Sequence, residues 1–375
     1  MAGLVRPSSA APAAVPGAAA PPVRDRYLDV LRGFALIRVV VYHTFGWAWL
    51  TLVFPSLGVM FALAGSLMAR SLSRPAAGVI RARLRRLLPP FWAFAVLAVG
   101  WMLWRGWTPA QWPRLALWVL PVADPPGSEW GEQLTGPLWY IRAYVWFVLL
   151  SPVLLWAWRR IRWPLMGATV ALAAVFQYEW VRLPLLAEAA VADFAVFGAC
   201  WLLGFAHRDG SLDALRARVV VPVAGLLMGA GGWFTATHPT PEAGYDLGEI
   251  PLAQALWSLG FVLLLLRFRP SSLPRLHGAD ALVRLLNNRA VTVYLWHEVA
   301  LLTAVLVTDR LWQVPFLAEH VPLDSQWLLF ALVWPLLAAA VLLVGWVEDL
   351  ASRKRPHPWP ASAAPRQGEA YAVAT

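Results

Sequence analysis

Long apolar segments alternate with short polar connections along most of this sequence. A helix needs roughly 20 apolar residues to cross the hydrocarbon core of a bilayer. By that measure the sequence predicts ten spans, at residues 29–48, 51–70, 88–105, 136–157, 164–181, 186–206, 218–236, 251–267, 288–308 and 326–347. The predicted fold class is therefore an all-α membrane protein, a polytopic bundle of about ten transmembrane helices with both termini on the same side.

The two ends of the chain differ from this pattern. Residues 1–23 are rich in Ala and Pro and have no continuous apolar run, and residues 351–375 are similar. Both are predicted to be disordered tails. Residues 24–350 are predicted to form a single transmembrane domain.

Composition supports the membrane class and excludes others. The chain is 59% hydrophobic and 14% charged, whereas soluble proteins carry about 25% charged residues. A net charge of +10 is typical of nucleic-acid binding in a soluble protein, but basic cytoplasmic loops account for it here, so no nucleic-acid partner is predicted. The single cysteine, Cys200, leaves no disulfide and no paired-cysteine metal motif. No metal and no permanently bound cofactor is predicted.

The distribution of basic residues predicts the orientation. With both termini in the cytoplasm, 24 of the 31 Lys and Arg residues lie on the cytoplasmic side, four lie outside and three lie within spans. That bias is the one expected of cytoplasmic loops. We therefore expect a multi-pass protein of the plasma membrane. The Arg-, Ala- and Trp-rich composition favours a bacterial source.

The first span contains two ionisable residues, Arg32 and His43, whose spacing places them on one helix face about 16 Å apart along the axis. Ionisable groups at membrane depth are costly and usually functional. Imidazole is suited to accept a proton near neutral pH, although a structural histidine in the bundle is the alternative. Arg38 lies on a different face and is predicted to extend towards the membrane surface.

A second cationic site precedes the third span, in the segment RARLRRLLPPFW. Arg83 and Arg86 are three residues apart, so they share a helix face and can hold a phosphate together. An anchor for anionic lipid is the alternative interpretation.

Late in the chain, His297 and Glu298 form a further candidate pair for proton transfer. Adjacent helical residues do not face each other, so we expect either one to meet His43 across the bundle or to make a structural hydrogen bond.

Glu188 and Asp193 in the sixth span are predicted to pair with arginines in the membrane, because an uncompensated buried charge is expensive. The candidate partners are Arg32, Arg38 and Arg142.

Four blocks of sequence resemble the acyltransferase-3 family of membrane proteins: LDVLRGFALIRVVVYH, RLRRLLPPFW, GPLWYIRAYVWFVLLSPVLL and NNRAVTVYLWHEVALL. The resemblance implies a ten-helix core that moves an acyl group from cytoplasmic acyl-CoA to a hydroxyl, often of a sugar. The family's Arg-x10-His motif corresponds to Arg32 and His43, and its Arg-x-x-Arg motif corresponds to Arg83 and Arg86.

Two departures from the family pattern leave the acceptor open. Ala64 stands where a serine is common, and Trp139 and Arg142 occupy a motif in which other members carry a glutamate. No sequence feature indicates the oligomeric state.

With this resemblance, the expected reaction is O-acylation of a carbohydrate or glycoconjugate, with acetyl-CoA as the favoured donor. His43 is the expected general base, and Arg142 or the Tyr294 hydroxyl is the expected oxyanion donor. An acyl-histidine intermediate is an alternative route. The competing functions are a transporter or flippase that moves a lipid-linked or anionic metabolite without covalent chemistry, and an inactive scaffold.

Overall fold

The computed structural model describes residues 25–241, 244–270, 273–274 and 277–358. The N-terminal tail predicted at 1–23 and most of the C-terminal tail predicted at 351–375 lie outside the described residues. Within the described residues the chain is helical and has no strand. The predicted all-α class is therefore confirmed.

Fourteen α-helices are present in the described residues. They are α1 Arg26–Phe45, α2 Trp49–Val53, α3 Ser56–Ser71, α4 Ala76–Trp104, α5 Glu132–Thr135, α6 Trp139–Gln177, α7 Leu185–Arg208, α8 Ala217–Thr237, α9 Pro251–Arg267, α10 His277–Asn288, α11 Ala290–Leu311, α12 Pro315–His320, α13 Gln326–Val344 and α14 Trp346–Ala351.

Seven helical segments of the described chain are long and apolar enough to cross a membrane. They are Trp49–Ser71, Ala76–Trp104, Glu129–Gln177, Ala187–Arg208, Ala217–Thr237, Ala290–Leu311 and Gln326–Val344. α9 is apolar but has only 17 residues, and α1 carries several charged residues. The membrane-spanning character is thus supported, while the count of ten spans and the cytoplasmic termini stay predictions.

α6 covers two of the predicted spans, 136–157 and 164–181. Its 39 residues correspond to about 58 Å of helix, roughly twice the hydrocarbon thickness. Ile161 interrupts it with non-helical backbone angles (φ −133°, ψ 50°), three residues before Pro164. A proline removes one helical hydrogen bond and clashes with the preceding turn, which accounts for a break at this point. The break lies between the two predicted spans.

Helices α3 and α7 cross closely at two glycines, Gly65 and Gly204. A Cβ atom at Gly65 would lie 2.3 Å from the Trp201 carbonyl oxygen, and one at Gly204 would lie 2.1 Å from the Ala62 oxygen. Small residues allow such approach between membrane helices. The crossing holds α3 against α7, and residues of α3 line two of the cavities of the candidate site.

The two ends of α1 are defined by local capping. The Asp25 carboxylate accepts hydrogen bonds from the backbone N–H groups of Tyr27 and Leu28 at the N-terminus. Gly46 ends the helix in a left-handed conformation (φ 63°) and donates its N–H to the Tyr42 carbonyl. His43 therefore lies in the last turn, at the opposite end from Arg32.

Candidate active site

Three arginines line one cavity, called here the arginine cavity: Arg32 of α1, and Arg83 and Arg86 of α4. Its other walls come from α3, α6 and α11. No acidic side chain lines this cavity among the described residues. Three guanidinium groups without an acidic neighbour in the lining favour a bound anion such as a phosphate. Arg32 and the pair Arg83 and Arg86, predicted on different helices, therefore meet in one place.

Local contacts hold two of these arginines. Nη2 of Arg83 donates to the Leu67 carbonyl (3.1 Å) and to Oγ of Ser71 (3.0 Å), at the C-terminal end of α3, where a cation is stabilised by the helix dipole. Nη1 of Arg32 donates to Oδ1 of Asn287 at 3.4 Å. Each guanidinium has five N–H donors, so both keep donors for a ligand.

His43 and Glu298 form a close pair at the far end of α1. Nδ1 of His43 lies 2.5 Å from Oε1 of Glu298 on α11. An ionised carboxylate only accepts hydrogen bonds, so Nδ1 of His43 donates in this contact, and in the neutral imidazole Nε2 then carries the lone pair. A carboxylate that orients an imidazole in this way is the arrangement of a general base and its orienting partner.

His297 packs beside this pair. Its ring centroid lies 4.8 Å from that of His43, and its Nδ1 donates to the Tyr294 carbonyl at 2.5 Å. Its Nε2 is buried, has no hydrogen-bond partner within the described chain and lies 3.5 Å from Oε1 of Glu298. Both residues of the late pair thus lie beside His43, where the sequence analysis expected either one to do so, and they also lie close to each other although they are adjacent in the helix.

Among the described residues, His43, His297 and Glu298 form a group that could hold a metal ion, because their ligand atoms lie within 4.8 Å of one another. Two ligands of one zinc ion, each about 2.0–2.2 Å from it, are about 3 Å or more apart. The 2.5 Å contact between His43 and Glu298 is too short for that arrangement. The geometry fits a hydrogen-bonded pair.

His43 borders two further cavities, and 34% of its side chain is exposed. The first, called here the histidine cavity, has a volume of about 230 Å³ and is lined by residues of α1, α2, α3, α6, α9 and α11. That is well above the ~10–15 Å³ needed for one water molecule. The second, called here the side cavity, lies between α5, α6 and α11. Trp139 and Pro137 line both, so Trp139 is placed beside His43.

Tyr294 lies where the arginine and histidine cavities adjoin, because it lines both. Its hydroxyl donates to the Pro137 carbonyl at 2.7 Å, and its ring packs against that of Tyr140 at 4.8 Å. Because the hydroxyl hydrogen is already engaged, the expectation that Tyr294 donates to an oxyanion does not fit this conformation. The residue is instead part of the wall between the two cavities.

Arg142 is held away from the three cavities by two carboxylates. Nε and Nη2 donate to Oδ2 of Asp193 at 3.1 and 2.8 Å, and Nη1 contacts Asp124. The pairing with Asp193 was predicted from the sequence and is confirmed. The prediction for Glu188 is wrong: among the described residues it pairs with none of the three arginines, and its carboxylate accepts the Leu183 N–H just before α7. Arg142 therefore has a structural partner and no contact with His43.

Arg38 contradicts its sequence interpretation. It does not extend to the membrane surface: only 7% of the residue is exposed, and it lines the histidine cavity. Its guanidinium lies over the Tyr42 ring, 4.9 Å from the centroid. Because Arg38 and Tyr42 are four residues apart, the sequence could have indicated that their side chains meet on one helix face. Helix periodicity alone does not show which face borders a cavity.

A family model for an acyltransferase domain, that of the acyltransferase-3 family, matches residues 25–347. The chain belongs to this family. All the cavity-lining residues described above fall within the matched segment of this membrane acyltransferase. No curated protein and no solved structure matches the chain.

Proposed function

We propose that this membrane acyltransferase moves an acyl group from acyl-CoA to a hydroxyl of a carbohydrate or glycoconjugate, with His43 as general base. The observation that carries the proposal is the contact between His43 and Glu298 at the border of the histidine cavity, next to an arginine cavity that can hold an anion. Acyl transfer needs both features, an activated hydroxyl and a bound donor.

The donor is assigned to the arginine cavity. Arg32, Arg83 and Arg86 supply the positive charge for the phosphates of CoA. Apolar side chains of Leu36, Met60 and other lining residues surround the remaining space, which suits the pantetheine arm and a small acyl group such as acetyl. Because Tyr294 lies between this cavity and His43, the thioester reaches His43 when the Tyr294 side chain moves.

The acceptor is assigned to the histidine cavity. Its hydroxyl gives its proton to Nε2 of His43 as the hydroxyl oxygen attacks the thioester carbonyl. The tetrahedral intermediate then expels the CoA thiolate, which takes the proton from the imidazolium. Glu298 holds the reactive tautomer and stabilises the imidazolium that forms between these steps. In this direct route no acyl group is attached to the protein.

Incubation of the purified chain in lipid nanodiscs with radiolabelled acetyl-CoA and a panel of glycans and glycolipids tests the proposal. We expect free CoA thiol and an equal amount of label in an O-acetyl ester. Labelled acetyl-histidine on the protein would favour the acyl-enzyme route. Release of CoA thiol with no labelled ester on any acceptor would contradict the proposed transfer.

Reconstituted vesicles test the transporter alternative. A transporter would move a substrate across the vesicle membrane without releasing CoA thiol. The family match favours acyl transfer over transport.

A further inference from the structure

Arg38 lines the histidine cavity, and its largely buried guanidinium has two nitrogen atoms without a hydrogen-bonding partner. Its Nε and Nη2 atoms make no hydrogen bond within the described chain, although the residue is only 7% exposed. A cation removed from water is costly unless it is paired. A buried guanidinium that lines a cavity and has two unfilled donors therefore indicates a ligand with an acceptor group, which a carboxylate or phosphate fits best.

The unused edge of Arg38 is the one that other arginines of this chain use to hold carboxylates. Nε and Nη2 of Arg142 both donate to Oδ2 of Asp193, at 3.1 and 2.8 Å. The same two atoms of Arg26 donate to Oδ1 of Asp280, at 3.0 and 2.6 Å. These two parallel donors match the geometry of a carboxylate or phosphate.

The nearest acidic residues do not fill this edge. The charge of Asp246 acts on Arg38, but its oxygens accept hydrogen bonds from other groups: Oδ2 from the Tyr42 hydroxyl at 2.5 Å and Oδ1 from the Gly248 N–H at 2.8 Å. Glu249 also lines the cavity but is exposed, so water screens its charge. The Tyr42 ring beneath the guanidinium provides a cation–π contact but no hydrogen-bond acceptor for Nε or Nη2.

Two neutral polar atoms in the same cavity also lack partners. Oγ of Ser56 and Oε1 of Gln254 are buried and make no hydrogen bond within the described chain, and their residues are 1% and 3% exposed. Both residues line the histidine cavity with Arg38 and His43. Unsatisfied buried polar atoms are rare in folded proteins. A ligand that carries hydroxyl groups would satisfy both.

The geometry points to an acidic acceptor: a sugar-like molecule with a carboxylate or phosphate on the Nε–Nη2 edge of Arg38 and hydroxyl groups at Ser56 and Gln254. This inference rests on the proposed function, because it assigns the histidine cavity to the acceptor. It makes Arg38 the residue that selects acidic acceptors over neutral ones.

Binding measurements on the full chain in nanodiscs test this inference without acyl transfer. The probes are methyl β-D-glucuronide, glucose 6-phosphate and the neutral methyl β-D-glucoside, followed by saturation-transfer NMR with acetyl-CoA present. We expect at least one acidic probe to bind about ten-fold or more tightly than the glucoside, the scale of a charge-assisted hydrogen bond. The two acidic arms distinguish a carboxylate from a phosphate ligand.

Variants of Arg38 identify the source of the preference. Arg38→Gln should abolish it, and Arg38→Lys should keep part of it because the charge remains without the paired donors. Arg114→Gln is the matched control, since it removes an equal charge at an exposed position and should leave the preference intact. Retained acetyl-CoA binding shows that each variant is folded. Equal binding of all probes, no binding of any probe, or an unchanged preference in Arg38→Gln would overturn the inference.

The outcome is separable from that of the proposed function. An Arg38-dependent acidic preference without acyl transfer would support the binding site and contradict the transferase mechanism. Acylation of neutral and acidic acceptors at equal rates would support the transferase mechanism and contradict the acidic acceptor.

Discussion

Nδ1 of His43 lies 2.5 Å from Oε1 of Glu298, a contact that joins the last turn of α1 to the middle of α11. It connects an early and a late helix of the chain at the border of the histidine and side cavities. A carboxylate in this position fixes the tautomer of the imidazole and leaves Nε2 available to accept a proton. The proposed chemistry depends on this pairing.

Replacement of Glu298 tests the role of the carboxylate. In Glu298→Gln we expect kcat for acyl transfer to fall by about 10²- to 10⁴-fold, because the amide neither fixes the tautomer nor stabilises the imidazolium. KM for acyl-CoA should stay unchanged, since Glu298 does not line the arginine cavity. Steady-state kinetics give both values.

Glu132→Gln is the control for this experiment. Glu132 is an exposed residue of α5, next to Gln133 of the side cavity, and its replacement should leave kcat within two-fold, about 0.4 kcal/mol. If Glu298→Gln retained the wild-type kcat, the carboxylate would have no part in proton transfer.

Arg86 tests the donor assignment. Arg86→Gln should raise KM for acyl-CoA by about ten-fold or more, because one charge-assisted contact with a phosphate is lost. Its effect on kcat should be small, since Arg86 lies in the arginine cavity and not beside His43. Arg81→Gln is the matched control, because Arg81 is exposed on the same helix and does not line the cavity. Equal KM values for the two variants would exclude Arg86 from donor binding.

The crossing of α3 and α7 predicts a large difference between two glycine substitutions. Gly204→Val should lower the melting temperature strongly, because even its Cβ atom would lie 2.1 Å from the Ala62 carbonyl oxygen; overpacking of this kind typically costs about 1–3 kcal/mol or more. Gly225→Ala on α8 has open space around its Cβ atom and should be neutral or slightly stabilising. Differential scanning fluorimetry compares them. Similar melting temperatures would contradict the close crossing.

Glu348 predicts a pH dependence of stability. Loss of hydration raises the pKa of Glu348 to about 7, although hydrogen bonds from Thr292 and the charge of Arg289 oppose the shift. A raised carboxyl pKa means that the folded state favours the protonated form. The contribution of Glu348 to stability is therefore greatest below the unfolded pKa of about 4.5 and falls as pH rises to about 7.

Comparison with Glu348→Gln isolates this contribution. The difference in melting temperature, wild type minus variant, should decrease between pH 5 and pH 8. A difference that is constant or increases across this range would show that Glu348 does not titrate as described.

Much of the fold could be predicted from the sequence, because lipid imposes length and apolarity on each span. Each predicted span overlaps a helix, and the boundary between spans at 157–164 matches the break at Ile161 in α6. Hydropathy does not show how helices are arranged, so the pairing of α3 with α7 and the insertion of α11 beside α1 required the structure.

The candidate site was predictable in part. Arg83 and Arg86 were identified because two arginines three residues apart at a membrane surface suggest an anion site, and Arg32 because it is an ionisable residue within an apolar span. The structure brings the three together. Arg38 was misinterpreted because it lies on a different face of α1 from Arg32. That difference would exclude Arg38 from a cavity only if the cavity bordered a single face of the helix. The histidine cavity instead borders both Val39 and Tyr42 as well as Arg38 and His43, a wide arc of the helix.

The most direct test of the central claim is acyl transfer by His43→Ala in nanodiscs, measured as labelled O-acyl ester formed per molecule of protein at saturating acyl-CoA. The account predicts that ester formation falls by about 10²-fold or more, while acyl-CoA still binds with the wild-type affinity at Arg32, Arg83 and Arg86. Ester formation at the wild-type rate by this variant would show that another group removes the acceptor proton, and would contradict the mechanism.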